Sequence, residues 1–213
     1  MDTFLNGNLL TWHTNGPLGL PFTGSAYRAP DGTVVWVDPP DPGADESALL
    51  QLGKPTHLLV TFRDHDRAVA PLAKRYGAQV WIPKGTGGEI QPVDVEYDEA
   101  TALPAGLRAV GLPAVGYGEH ALVGEAYGKR FAFIGDAFFN LEGSKVPWLL
   151  GKAFFVRHGG PLALKRQYRG GDTKAAPTQL RRLLDERLDM LVLSHGKSVA
   201  ADADRWLRIA LCS

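Results

Sequence analysis

Cysteine is nearly absent. Cys212 is the single one in 213 residues, which excludes an internal disulfide and a cysteine-built zinc site. An excess of charge is missing too, with 23 Lys plus Arg against 23 Asp plus Glu. A nucleic-acid or anionic-membrane surface needs clustered basic residues, so the expected partner is a small molecule or a protein, with no nucleic acid and no membrane. Nowhere do the ~18 consecutive apolar residues of a membrane-crossing helix occur, and MDTFLNGNLL lacks a basic stretch before its apolar residues. These absences lead to the expectation of a soluble, cytoplasmic protein. Internal repeats and low-complexity tracts are also missing, and the length suits a single domain over 1–213 with a full hydrophobic core.

What is present is a regular alternation of strand and helix signals. Asp31-Gly32 predicts a turn before the β-branched and aromatic run Thr33–Val37, which Asp38-Pro39-Pro40 stops. DESALLQLG reads as a short helix ending at Gly53, Thr56–Thr61 as a strand, Ala68–Tyr76 as a helix ended by Gly77, and Gln79–Ile82 as a strand. Farther on, Ala121–Val123 and Phe131–Ile134 read as strands, Thr178–Arg187 as an amphipathic helix, Met190–Leu193 as a strand and Ala203–Leu211 as a last helix. Residues 140–178 follow neither period.

Polar groups stand at the C-terminal ends of four apolar runs: Asp38 in VDPP, the cluster in THLLVTFRDHDR, Asp136 in FIGDAFF and His195 in LVLSHG. Convergence of strand ends on one rim is how layered folds build a site. In this order the motifs resemble the metallo-β-lactamase fold superfamily, whose pattern runs from Asp-Pro through T-H-x-H-x-D-H, T-P-G-H-T-P-G and Gly-Asp to a terminal His-Gly. The resemblance extends from about Ser25 to Val199. It implies an α/β (α+β) fold, a four-layer αββα sandwich of two mixed β-sheets flanked by helices, and a hydrolase ancestry with two metals that polarise an oxygen and activate water.

The ligand positions implied by that pattern are mostly replaced. Anchoring on Thr61 puts Phe62 at the first histidine, Asp64 at the second, Asp66 at the aspartate and Arg67 at the last. Val115 falls where T-P-G-H-T-P-G has its histidine, while Asp136 and His195 match the bridging carboxylate and the terminal histidine. A rival register puts Asp64-His65 on the Asp-His pair, and a third brings in His120 through a loop shift. Asp64, Asp66, Asp136 and His195 are therefore the candidate catalytic residues, with Phe62, Arg63, His65, Arg67, Val115 and His120 lining the site. Three carboxylates crowded together need a cation, and Arg67 offers a bidentate one.

The expectation is a metal-free or weakly metal-binding centre whose cleft takes a small molecule or a protein partner. The alternative is a one-metal hydrolase of an ester, thioester or lactam, drawing on Asp64, Asp66, His65, Asp136 and His195 for an ion such as Zn, Mn or Fe. A further alternative is a self-associating scaffold, a homodimer through Val146–Val156. Asp38 is expected to fix a turn, and His158 to be a loop histidine.

Overall fold

A computed structural model describes residues 1–86, 90–157, 161–168 and 170–212; His158 lies outside the described residues. Runs of β-branched and aromatic residues marked off by Gly, Pro and Asp form its strands. An antiparallel meander opens the chain: β1 (Asp2–Phe4), β2 (Leu9–Asn15), β3 (Pro21–Arg28) and β4 (Val34–Val37). Then come α1 (Glu46–Leu49), β5 (His57–Leu59), α2 (Val69–Tyr76), β6 (Gln79–Pro83) and β7 (Val95–Tyr97), the strands now pairing in parallel. Together β1 to β7 make one 7-stranded mixed sheet in sequence order.

A second sheet begins with the antiparallel β8 (Arg108–Gly111), β9 (His120–Ala126) and β10 (Lys129–Ile134). After it come α3 (Trp148–Phe154), the hairpin of β11 (Phe155–Arg157) and β12 (Ala163–Lys165), then α4 (Ala176–Leu180) and α5 (Arg182–Asp185). The strand β13 (Met190–Leu193) returns parallel to β10, and α6 (Ala203–Cys212) closes the described chain. The second sheet is 4-stranded, in the order β13-β10-β9-β8.

Alternation along the central strands decides the layering, because successive side chains of a strand face opposite ways. Val35, Val37 and Leu59 of the first sheet share a buried cluster with Leu122, Phe131, Phe133 and Val192 of the second, so the sheets pack face to face. Tyr27 and Phe131 meet edge to face at 5.2 Å inside that layer, a geometry worth about 0.5–1.5 kcal/mol beyond area burial. Trp36, Leu58 and Val80 face outward beneath Leu72 and Tyr76 of α2. Ile134, Leu191 and Leu193 face outward beneath Leu180, Leu183 and Leu207 on the other side. The layers are helix, sheet, sheet, helix: the αββα sandwich that the motif order implied.

Local details differ from the sequence reading where periodicity is short. The helix expected at Thr178–Arg187 is split into α4 and α5, with Pro177 in the first turn of α4. DESALLQLG holds a single α-helical turn between two 3₁₀ turns. The unpatterned 140–178 stretch contains α3 and two strands of three residues each, too short to establish a period of two. Among the described residues no helix is long and apolar enough to cross a membrane.

Candidate metal centre

Parallel pairing points the ends of β4 and β5, and those of β10 and β13, the same way, and at this rim the two sheets meet. Asp38 follows β4, Thr61 and His65 follow β5, Asp136 follows β10, and Ser194-His195 follow β13. Backbone bonds tie the rim together: Thr23 N–H donates to Ser194 O (2.9 Å), His120 N–H to Thr61 O (3.0 Å) and Asn140 N–H to His195 O (2.9 Å). Gly196, at φ +88, lies against Asn140 O where no Cβ fits. That close approach explains glycine after His195.

Three side chains converge here. One ligand atom each from His65, Asp136 and His195 lie within 4.8 Å of one another, and all three residues are buried. His195 Nε2 is 3.0 Å and His65 Nε2 3.3 Å from Asp136 Oδ1, and the two Nε2 atoms are 3.1 Å apart. The opposite nitrogens fix the tautomers. His195 Nδ1 is 2.9 Å from Pro21 O, and a carbonyl only accepts, so Nδ1 carries the proton. His65 Nδ1 is 2.9 Å from Asp38 Oδ2 and donates to it for the same reason. In the neutral rings both Nε2 lone pairs face inward. Holding the outer nitrogen with a carboxylate or carbonyl is how metal-binding histidines are oriented. Phe139 stacks on His195 at 4.4 Å and 20°, which fixes the ring plane.

Charge is distributed unequally around this point. Burial drives the His195 pKa down to about 4, leaving the ring neutral and able to ligate at pH 7. Desolvation and the Arg67 charge push His65 down, but the Asp38 and Asp136 carboxylates outweigh them and hold it above its ordinary value. Desolvation alone would raise Asp136, yet the two imidazoles and Lys165 hold it well below the carboxylate range. Its other oxygen, Oδ2, is ion-paired with Lys165 of β12. Asp38 is buried and accepts from Thr61 N–H, Thr61 Oγ1, His65 Nδ1 and Ser194 Oγ. These donors and the nearby cations overcome desolvation and take its pKa to about 2. Glu119 is fully buried, and desolvation together with Asp136 pushes it up to about 8, so it is neutral at pH 7.

The sequence-predicted residues divide sharply. Asp136 and His195 are in the cluster, and so is His65, which the sequence offers only as a lining residue or a rival ligand. Asp64 and Asp66 are not: both are exposed, and Asp64 pairs with Arg63 at 3.3 Å. The reason is a change of period. The strand stops at Leu59 and, past Thr61, Arg63–His65 forms a 3₁₀ turn, in which residues three apart lie on one side. Phe62 and His65 therefore face inward together, their rings 5.6 Å apart, while Asp64 and Asp66 face solvent. Arg63 stacks on Tyr117 at 3.5 Å. Val115 is part of the helix-covered core, and His120 donates to Gly118 O (2.6 Å) and packs on Tyr97, outside the cluster.

Arg67 is the largest departure from expectation. The sequence casts it as the partner of three aspartates; instead its guanidinium donates to carbonyl oxygens, to Thr23 O and Asp38 O at 3.0 Å and to Ser194 O at 3.3 Å, with Nη2 3.4 Å from His195 Nε2. It staples the strand ends of both sheets. Arg67→Ala is expected to lower unfolding free energy by about 2–3 kcal/mol, since the half-buried carbonyls lose their charged donor. Urea denaturation measures this, and an unchanged midpoint contradicts it. Asp38, Thr61, Ser194 and Lys165 are absent from the sequence-derived site. Of these Asp38, Thr61 and Ser194 carry a local signal, their place at strand ends, and Lys165 carries none.

Neither a family model nor a curated protein matches the chain. Solved structures do. TTHA1623, solved in a di-iron-bound form, is 21% identical, with 94% of this chain and 98% of that one covered at a TM-score of 0.62. The metallo-beta-lactamase family protein TTHA1429 from Thermus thermophilus is 19% identical over 94% of this chain and 78% of its own, with a TM-score of 0.61. ETHE1 from Myxococcus xanthus is 15% identical over 90% and 80%, with a TM-score of 0.59. The likeness at these identities is one of fold.

Proposed function

We propose that this chain, which has the metallo-β-lactamase fold, is a hydrolase-like protein holding one divalent metal ion between His65, Asp136 and His195. The observation that carries the reading is the convergence of the three ligand atoms with both Nδ1 atoms tied to acceptors. Two imidazoles and one carboxylate suit iron, zinc or manganese, and TTHA1623 was solved with iron. An ion held there supplies Lewis acidity and lowers the pKa of water. The protein's own groups set the stage for it. Asp38 and Pro21 O orient the rings, Lys165 neutralises the outer oxygen of Asp136, and Phe139 fixes the plane of His195. Hydrolysis of an ester, thioester or lactam is the reaction class that such a centre serves.

A second reading, the metal-free centre, is favoured by one observation. With its pKa raised, His65 as an imidazolium donates through Nδ1 to Asp38 and through Nε2 toward Asp136. The proton then stands where the ion would be, so metal and proton compete. Titration of chelator-treated protein with Fe(II), Zn(II) or Mn(II), followed by elemental analysis, tests both readings. One equivalent, absent in His195→Ala, is the expected outcome; none would overturn the metal reading. The affinity should fall by about tenfold per pH unit below the raised His65 pKa, because one proton must leave. A pH-independent affinity contradicts that competition.

A further inference from the structure

Beside the cluster lies a cavity of about 670 Å³, within the ~300–1,000 Å³ of small-molecule sites. One wall is the tip of the β2–β3 hairpin, with Leu18, Leu20 and Phe22; the other is α3 and the start of β11, with Leu150, Phe154 and Phe155. Leu18 and Phe154 are 70% and 58% exposed, so each wall carries an apolar side chain open to solvent. The charged groups lining the cavity are Lys165 and Arg166, and among the described residues no carboxylate lines it.

Lys165 and Phe22 connect the cavity to the cluster. The Lys165 ammonium pairs with Asp136 Oδ2 and lies 4.9 Å from the Phe139 ring centroid. It has three N–H donors, and the Asp136 bond uses one. Arg166 donates Nε to Lys152 O at 2.9 Å, one of the five donors of a guanidinium. Phe22 packs on His195 at 5.6 Å and beneath Arg67 at 4.5 Å while lining the cavity. The cavity thus pairs an apolar body with a cationic end next to the three convergent side chains.

We infer that this cavity binds an amphipathic anion, with its hydrocarbon or aromatic body between the hairpin and α3 and its carboxylate at Lys165 and Arg166. The inference deepens the proposed function by naming the ligand class, and rests on it only for the location. Other classes match the lining poorly. A cation meets two positive groups and no lining carboxylate, a small hydrophilic anion leaves the Leu and Phe walls in water, and a neutral alkane leaves the remaining N–H donors of Lys165 and Arg166 unused.

The test uses the chelator-treated protein, so that it is independent of the metal titration. Decanoate, butyrate and decylammonium are titrated by calorimetry. Affinity for fatty carboxylates should rise about threefold per added methylene, so that decanoate binds at least about 100-fold tighter than butyrate. Decylammonium, with the same chain and the opposite charge, should bind at least about tenfold more weakly than decanoate. Lys165→Met should weaken decanoate about tenfold, and Ala153→Trp, which fills the cavity from exposed α3, should abolish binding without moving Tm. No decanoate binding, affinity independent of chain length, or equal affinity for the two head groups overturns the inference. A positive metal titration beside a failed decanoate titration removes the ligand class and leaves the centre standing.

Discussion

Replacing Asp136 with alanine is expected to abolish metal uptake and to lower unfolding free energy by about 3–5 kcal/mol, the range for removing one partner of a buried ion pair. Both effects have one origin. The carboxylate accepts from Lys165 through Oδ2 and, when His65 is charged, from its Nε2 through Oδ1, so its loss leaves the ammonium without a counter-charge and the His65 imidazolium with Asp38 alone. Elemental analysis and urea denaturation read the two effects separately. An unchanged denaturation midpoint would show that the lysine finds another partner, and retained metal would displace the ion from these three ligands.

Asp38→Asn should cost about 3 kcal/mol although it is nearly isosteric. The amide can still accept from Thr61 N–H through its oxygen, but an NH₂ then faces the Thr61, Ser194 and His65 donors that Oδ2 now satisfies. Leaving buried donors unpaired costs about 1–3 kcal/mol per group, partly relaxed. Backbone strain does not confound the comparison: Asp38 has φ 46, a region Asn also tolerates. The pH dependence provides a second readout. With the native carboxyl at about 2 against an ordinary 3.8, the unfolded chain binds the proton more tightly. Asp38 therefore stabilises the fold above about pH 4 and loses that contribution, about 2 kcal/mol, as pH falls through 2. In the Asn variant the acid limb of the stability curve should be shallower. A limb identical to wild type would assign the acid sensitivity to other groups.

The sandwich is legible in the sequence because its determinants are local and periodic. Val34–Val37, Phe131–Ile134 and Met190–Leu193 each carry the apolar run of a doubly covered strand, and Gly77 ends α2 in the left-handed conformation at φ 61. Asp136 and His195 are legible for a related reason: each sits two residues after the end of such a run, beside a glycine. His65 is obscured because counting in twos continues past Thr61 while the chain changes to a period of three. Lys165 is beyond reach, since it lies on a three-residue strand in a stretch without pattern and reaches its partner across 29 residues. Asp38 looks like a turn residue because all of its donors come from residues at least 23 positions along the chain.

Asp38 also has a consequence for how the molecule is made. It joins Thr61 and His65 to Ser194, 156 residues away, and His65 precedes His195 by 130 residues. On a ribosome adding ~5–20 residues per second, that separation corresponds to roughly 6–26 s. Throughout that interval the early half of the rim exists without its last strand, so Ser194, His195 and the Arg67 contacts to the second sheet are still missing. The centre is thus completed only when β13 docks beside β10. Any ion it holds must be taken up after the chain has closed, and a truncated or stalled chain has no site to load.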